Sequence, residues 1–350
     1  MPKAMLLAAM LTAIAIAAPA VIAQSAPVTK RFEIRNDRAW LGGKEIKIWG
    51  IRSANGLMST AVTERIVRNL DNMTAHGINA VAVYVMGSNT GWPEEWGAKN
   101  GFNADGSLKP EFATRLEWLI READRRGMVV GVGIFTPRNV ANLRGEEAYK
   151  RALQDVGRFL KERNLRNVFV DLMHEYNHRR VIPEIFREPG GPEKKARLHQ
   201  WFKEANPDVP AGICATIDRG TDPFYPGSDM NILQKTMPIL PTGFTMNIES
   251  HKRDNYDRDG IYTKEGLAEN YAWFEDYRKA PNSAIFLHAA WLTGVGGRSG
   301  SAPHAEMGGY GTEDDPGVRW YFDWVRDHVG RWKYPRHVPV KQVNNAEARP

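Results

Sequence analysis

PEFATRLEWLIREADRRGMVVGVGIF, residues 110–135, carries the reading of the fold. Pro110 suits the first turn of a helix, where its missing N–H costs nothing. Phe112, Leu116, Ile120 and Ala123 recur at helical spacing and make one apolar face, and Gly127 stops the helix. Residues 128–135 (MVVGVGIF) are then apolar without a break, the pattern of a strand covered on both faces.

The same alternation extends both ways. Upstream, residues 80–86 (AVAVYVM) form another such strand, after a helix with Val62, Ile66, Leu70 and Met73 on one face. Downstream come a helix stripe of Tyr149, Leu153, Val156 and Leu160, then a strand at 168–173 (VFVDLM). Next are a helix opened by Pro192, with Leu198, Trp201 and Phe202, and a fifth strand at 211–217. Alternating strands and helices at this spacing demand a parallel sheet with right-handed crossovers. At least five such units in a chain of 350 residues predict a (β/α)8 TIM barrel. Ahead of it, residues 32–35 and 45–48 flank turns at Asn36-Asp37 and Gly42-Gly43, a short N-terminal β-hairpin. Residues 46–51 run on as strand one, ending at Arg52-Ser53-Ala54-Asn55.

The second half is less regular. Residues 244–248 and 284–290 read as strands, and 263–278 and 315–329 as helices. Residues 230–236 are taken as a sixth strand whose crossover helix has degenerated. The alternative is a helix over 230–240, with one strand missing from the count. The 244–248 strand is accordingly sixth or seventh. One domain is expected over 24–334, with a C-terminal tail of poor periodicity at 335–350.

Composition narrows the function. Hydrophobic residues at 42% and charged residues at 25% exclude a disordered chain. The single cysteine, Cys214, excludes an internal disulfide framework and any cysteine-cluster metal site; within strand five it reads as a buried hydrophobe. A net charge of +6, spread along the chain, is too mild for a nucleic-acid footprint, so no nucleic-acid partner is expected. Residues 1–23 have the anatomy of a secretory signal peptide: Lys3, an apolar run broken by Thr12, and a small-residue cleavage site at Val21-Ile22-Ala23. The run is short for an anchor helix and no later run is long enough to span. A secreted or periplasmic protein with no membrane span after cleavage is expected.

In a β/α barrel the chemistry sits at the carboxyl ends of the strands. The polar residues there are Arg52 and Asn55; Tyr84, Ser88 and Asn89; Thr136 and Arg138; His174, Glu175, Asn177 and His178; Asp218 and Arg219; Asn247, Glu249, Ser250 and His251; and His288 and Trp291. Glu175 and Glu249 each follow an apolar strand directly. Two carboxylates facing across a barrel mouth are what glycoside hydrolysis needs: one protonates the leaving oxygen, the other attacks the anomeric carbon or activates water. Both are taken as catalytic, with Arg52, Asn55, His174, Asp218, His251 and Trp291 as substrate-binding residues. No cofactor and no metal are expected, and the partner is a polysaccharide or oligosaccharide. His288, inside an apolar strand, reads equally as a core histidine or a site residue.

Several segments resemble clan A glycoside hydrolases, as in family 5. They are FEIRNDRAWLGGKEIKIWGIRSAN (32–55), HGINAVAVYV (76–85), GFNADGSLKPEF (101–112), LEWLIREADRRGMVVGVGIF (116–135) and VFVDLMHEYN (168–177). The resemblance covers roughly residues 32–329. It implies a cellulase-type barrel with net retention. It places the acid/base on Glu175, the nucleophile on Glu249 and the aromatic that ends strand eight on Trp291. His174 stands where the clan has asparagine, and strand two lacks the arginine common in family 5.

Two readings from other classes stand beside this one. His174-Glu175-Tyr176-Asn177-His178 matches H-E-x-x-H; on a helix its histidines would hold zinc in a metallohydrolase. The β-rich NVFVDLM before it argues for a strand end instead, where His174 and His178 would be aimed differently. A metal assay discriminates. The other is a non-catalytic carbohydrate-binding barrel, in which Trp92, Trp96 and Trp291 stack on sugar faces. Loss of activity on removal of either glutamate separates enzyme from binder. Trp118, Trp201, Trp273, Trp320 and Trp324 fall on amphipathic stripes and are assigned to packing. The glycine-rich 294–311 segment reads as a rim loop, and Arg179-Arg180 and His251-Lys252-Arg253 as a basic rim.

Overall fold

Three short antiparallel strands lead into the barrel: β1 (Phe32–Arg35), β2 (Arg38–Leu41) and β3 (Lys44–Ile46). Two-residue turns with positive φ at both positions join them, at Asn36-Asp37 and at Gly42-Gly43. That handedness matches the twist of paired strands. The expected hairpin is thus a three-stranded meander. The computed structural model of the protein describes residues 27–87, 100–178, 183–186, 190–215, 225–235, 237–250, 262–288 and 309–340.

Eight parallel strands follow: β4 (Trp49–Arg52), β5 (Ala80–Tyr84), β6 (Val129–Phe135), β7 (Val168–Met173), β8 (Ala211–Gly212), β9 (Asn231–Leu233), β10 (Thr245–Ser250) and β11 (Ser283–His288). They lie in the order β8-β7-β6-β5-β4-β11-β10-β9. A parallel bridge between Cys214 and Ile232 joins the two ends of that order and closes the barrel. Helices cover the outside: α1 (Thr60–Ala75), α2 (Pro110–Arg125), α3 (Glu146–Glu162), α4 (Gly191–Ala205), α5 (Lys264–Lys279) and α6 (Arg319–His328). The alternation in the sequence therefore forms the (β/α)8 barrel it predicts. Among the described residues no helix lies between β9 and β10, so the short strand β9 is the sixth, with a degenerate crossover after it. This makes β10 the seventh barrel strand. No helix among the described residues is long and apolar enough to cross a membrane.

Which face of each strand points inward follows from one contact. The rings of Phe169 (β7) and Phe286 (β11) are 5.6 Å apart, although three strands separate them in the sheet. They meet through the interior. Phe32 of β1 reaches the same place, 6.2 Å from Phe169, and plugs the floor. Strand side chains alternate with a period of two. Two residues further on, Asp171 and His288 also point inward, in register with Gly133 and, through β4, Arg52. Glycines at 131 and 133 make this possible: a Cβ on Gly131 would meet the Phe169 ring at 2.5 Å, and one on Gly133 the Tyr84 ring at 2.0 Å. The VGVG run of β6 is space for two aromatic rings.

Behind the floor, the chain ends in a hairpin, β12 (Arg331–Lys333) with β13 (Arg336–Val338). Trp332 Nε1 donates to the carbonyls of Arg126 and Gly127 at 3.1 Å each, and the Tyr334 hydroxyl to Leu41 O at 2.7 Å. Paired structure thus continues past Pro335, where the sequence showed only poor periodicity. A three-residue strand is too short to carry a period. Trp201 and Trp324 are buried, and Trp118, Trp273 and Trp320 pack against the core, as their stripes predicted.

Candidate active site

Glu249 faces the barrel interior because β10 is irregular. Asn247 pairs with Ile285, which points outward, one residue off the inward Phe286. Regular pairing would set Glu249 beside Leu287, on the outer face. Instead the register shifts and Ser250 pairs with Leu287, so Glu249 turns inward. Bulges of this kind re-aim side chains beside active sites. Asn247 braces the distortion: its Oδ1 accepts from Glu249 N at 3.2 Å, and its Nδ2 donates to Lys235 O at 2.8 Å. Lys235 N donates to Glu249 O at 2.6 Å.

Three nitrogen groups from three parts of the barrel converge on the buried Glu249 carboxylate. Arg52 Nη1, from β4, donates to Oε2 at 2.5 Å. His174 Nε2, just past β7, lies 3.1 Å from the same oxygen. His288 Nδ1, at the end of β11, is 3.4 Å from Oε1. Burial alone would raise the pKa of Glu249. His288, Arg52 and His174 together override it and hold the carboxyl well below the usual carboxylate range. Glu249 is therefore an anion at neutral pH. Burial works against the charge on Arg52 as well, but Tyr84 and Glu249 hold its pKa above the ordinary value. Its guanidinium carbon sits 4.9 Å from the Tyr84 ring centroid.

Below this lies a second layer. The Tyr84 hydroxyl, at the end of β5, donates to Asp171 Oδ2 at 2.8 Å and lies 3.3 Å from His174 Nδ1. Asp171 Oδ2 is 3.5 Å from the same ring nitrogen, and Asp171 Oδ1 accepts from Cys214 N at 3.2 Å. Burial and the Arg52 charge push the His174 pKa down. Cys214 and the hydrogen bond with Asp171 push it up, and the net result lies well above the ordinary histidine value. Cys214 is itself a buried thiol with a raised pKa, burial being the main cause.

Glu175 is placed by the turn after β7. Residues 174–177 form a turn in which Glu175 and Asn177 have φ of 52° and 64°. The HEYNH segment is thus not a helix, and its histidines are not the one-turn pair a zinc helix supplies. His178 instead faces Glu175, with Nε2 4.0 Å from Oε2. The Glu175 side chain is 20% exposed against 7% for Glu249, so it sits nearer solvent. One side-chain donor atom each of His174, Glu175 and Glu249 lies within 4.8 Å of the other two. A second such group joins Asp171, His174 and Cys214; His178 belongs to neither.

Of the residues assigned from sequence, Arg52, His174, Glu175 and Glu249 come together. Asn55 is buried in the loop after β4, with its side-chain oxygen 2.8 Å from where a Cβ on Gly87 would lie. Asp218, His251 and Trp291 lie outside the described residues, as do Ser88, Asn89, Trp92, Trp96, Arg179, Arg180, Arg219, Lys252, Arg253 and most of the glycine-rich segment. His288, left open between core and site, is at Glu249. Asp171 escaped notice, although a lone carboxylate inside an apolar strand is a signal of its own: it must be paired to be buried.

No protein-family model matches the chain in sequence, and no curated protein does. Solved structures do match in fold. A glycoside hydrolase family 5 protein from Bacteroides vulgatus superposes with a TM-score of 0.57 at 12% identity, covering 85% of this chain and 72% of that one. A beta-glucanase from Saccharophagus degradans gives 0.52 at 10% identity, over 75% and 85% of the two chains. Its complex with cellotetraose gives 0.51 at 8% identity, over 76% and 87%. The chain shares its β/α-barrel fold with these glycoside hydrolases.

Proposed function

We propose that the protein is a secreted, retaining glycoside hydrolase acting on a polysaccharide or oligosaccharide, with Glu175 as acid/base and Glu249 as nucleophile. The observation that carries this reading is the pair itself: one carboxylate oxygen of Glu175 and one of Glu249 lie within 4.8 Å of each other, at the carboxyl ends of barrel strands four and seven. Retaining enzymes hold their two carboxyls about 5–5.5 Å apart, inverting ones about 6.5–9.5 Å to admit a water. The shorter class fits here.

The two environments divide the labour. Glu249, ionised by Arg52, His174 and His288, attacks the anomeric carbon as Glu175 gives its proton to the departing glycosidic oxygen. A glycosyl ester on Glu249 results. Glu175, now a carboxylate, takes a proton from water, whose oxygen displaces Glu249 from the anomeric carbon. The sum is one glycoside and one water converted to a sugar and an alcohol. No cofactor enters. The non-helical turn at 174–177 and the engagement of His174 by Glu249 and Asp171 weigh against the zinc reading.

The test compares two variants on a glycan panel that begins with β-glucans. Glu249→Gln abolishes turnover of every substrate, since no ester can form. Glu175→Gln spares the first step on aryl glycosides whose leaving group needs no proton, and azide restores the second by displacing Glu249 as a glycosyl azide. Full activity of Glu249→Gln overturns the assignment of Glu249 as nucleophile. Unaltered glycan binding by a wild type that turns over nothing makes the protein a binding barrel.

A further inference from the structure

We propose that Asp171 and Tyr84 are positioning residues which fix His174 as an imidazolium, a two-sided donor that holds Glu249 from beneath. Glu249, an anion, only accepts, so His174 Nε2, 3.1 Å from its Oε2, carries a hydrogen. On the other side the Tyr84 hydroxyl has one proton, which it gives to Asp171 Oδ2 at 2.8 Å. Toward His174 Nδ1, at 3.3 Å, it therefore presents a lone pair, and Asp171 Oδ2 presents another at 3.5 Å. With the Cys214 thiol proton given to Ala215 O at 3.5 Å, Nδ1 faces acceptors only, so it too carries a hydrogen. With both nitrogens protonated the ring is a cation between two buried carboxylates. Burial and the Asp171 charge hold the Tyr84 proton in place.

The groups facing this ring are Tyr84 from β5, Asp171 from β7, Glu175 in the turn after it, Cys214 beyond β8, Glu249 from β10 and Arg52 from β4. Arg52 opposes the charge, and Asp171 and Glu249 sustain it. Because both nitrogens are engaged within the protein, His174 has no donor left for a sugar hydroxyl. It serves the carboxylate and not the substrate, contrary to the role assigned to it from sequence. Its effect on turnover rests on the reading of Glu249 as nucleophile; its charge state does not.

The test is nitrogen NMR of the protein labelled with ¹⁵N-histidine, the His174 resonances being those lost in His174→Gln among nine histidines. In the wild type both ring nitrogens stay at imidazolium shifts through neutral pH. In Asp171→Asn the ring loses a proton within the pH 5–8 window, and in Tyr84→Phe its titration moves the same way by less. On activated aryl glycosides Asp171→Asn lowers kcat roughly tenfold to hundredfold with KM nearly unchanged. It also shifts the acid limb of kcat/KM to higher pH, as Glu249 loses a neighbouring cation. A neutral wild-type ring at pH 7, or a titration that neither variant moves, overturns the proposal. If Asp171→Asn does not fold, Tyr84→Phe alone decides it. Imidazolium spectra in a protein that hydrolyses no glycoside would leave the relay standing and sink the glycosidase reading instead.

Discussion

Replacing Arg52 by methionine keeps an apolar stem and removes the charge nearest Glu249. The pair is buried, with Nη1 donating at 2.5 Å. Charge centres about 4 Å apart at an effective dielectric of about 20 attract by about 4 kcal/mol. Removing one partner of such a pair typically costs ~3–5 kcal/mol, because the other charge stays buried. His174 at 3.1 Å and His288 at 3.4 Å soften that penalty, which places the expected loss near the lower figure, about 3 kcal/mol. For a domain of this size that is a fall in Tm of roughly 4–5 °C. The assay is a double-mutant cycle by guanidinium or thermal unfolding of wild type, Arg52→Met, Glu249→Gln and the double variant. Once Glu249 is neutral, losing Arg52 matters less, so the double variant should be about 2 kcal/mol more stable than the sum of the single losses. A coupling within about 0.5 kcal/mol of zero would refute the claim that Arg52 stabilises the Glu249 anion.

Further expectations rest on other contacts. Gly133→Ala would set a Cβ 2.0 Å from the Tyr84 ring, which its bond to Asp171 keeps from swinging away; a loss of roughly 1–3 kcal/mol in chemical unfolding is expected, partly relieved by Tyr84→Leu. His337, with Nε2 2.8 Å from Gly77 O, has its pKa lowered to about 4, chiefly by burial. Its unfolded form takes up a proton first as pH falls, so stability declines between about pH 6.5 and 4 by roughly 1–3 kcal/mol. His337→Gln keeps the donor without the titration and should flatten that slope; an unchanged slope means His337 is not its source. Chelators should leave turnover untouched, and inhibition reversed by added zinc would revive the metallohydrolase reading.

Much of the fold was legible because it is local. Apolar strands, helix faces, Gly127 as a stop and Pro110 as a start each depend on neighbours within a few residues, and at least five repeats of one unit leave few architectures. Strand ends were legible too, hence Glu175, Glu249 and Arg52 as candidates. The short elements were less so: the strands at 211–217 and 230–236 were read longer than β8 and β9 are, the second against a helical alternative, and the final hairpin, three residues per strand, is below the length at which periodicity speaks.

What the tertiary structure alone decided is where side chains point and what they meet. Whether Glu249 faces the interior or α5 turns on one extra residue between Asn247 and Ser250, which no pattern in TMNIES announces. The H-E-x-x-H letters are the same on a helix or a turn; the positive φ at Glu175 and Asn177 settles which. The contacts that set the charges, Arg52 with Glu249, His174 with Glu249 and Tyr84 with Asp171, span 197, 75 and 87 residues of chain. Their geometry is fixed by barrel closure and strand register, and a residue's own sequence neighbours carry no trace of either.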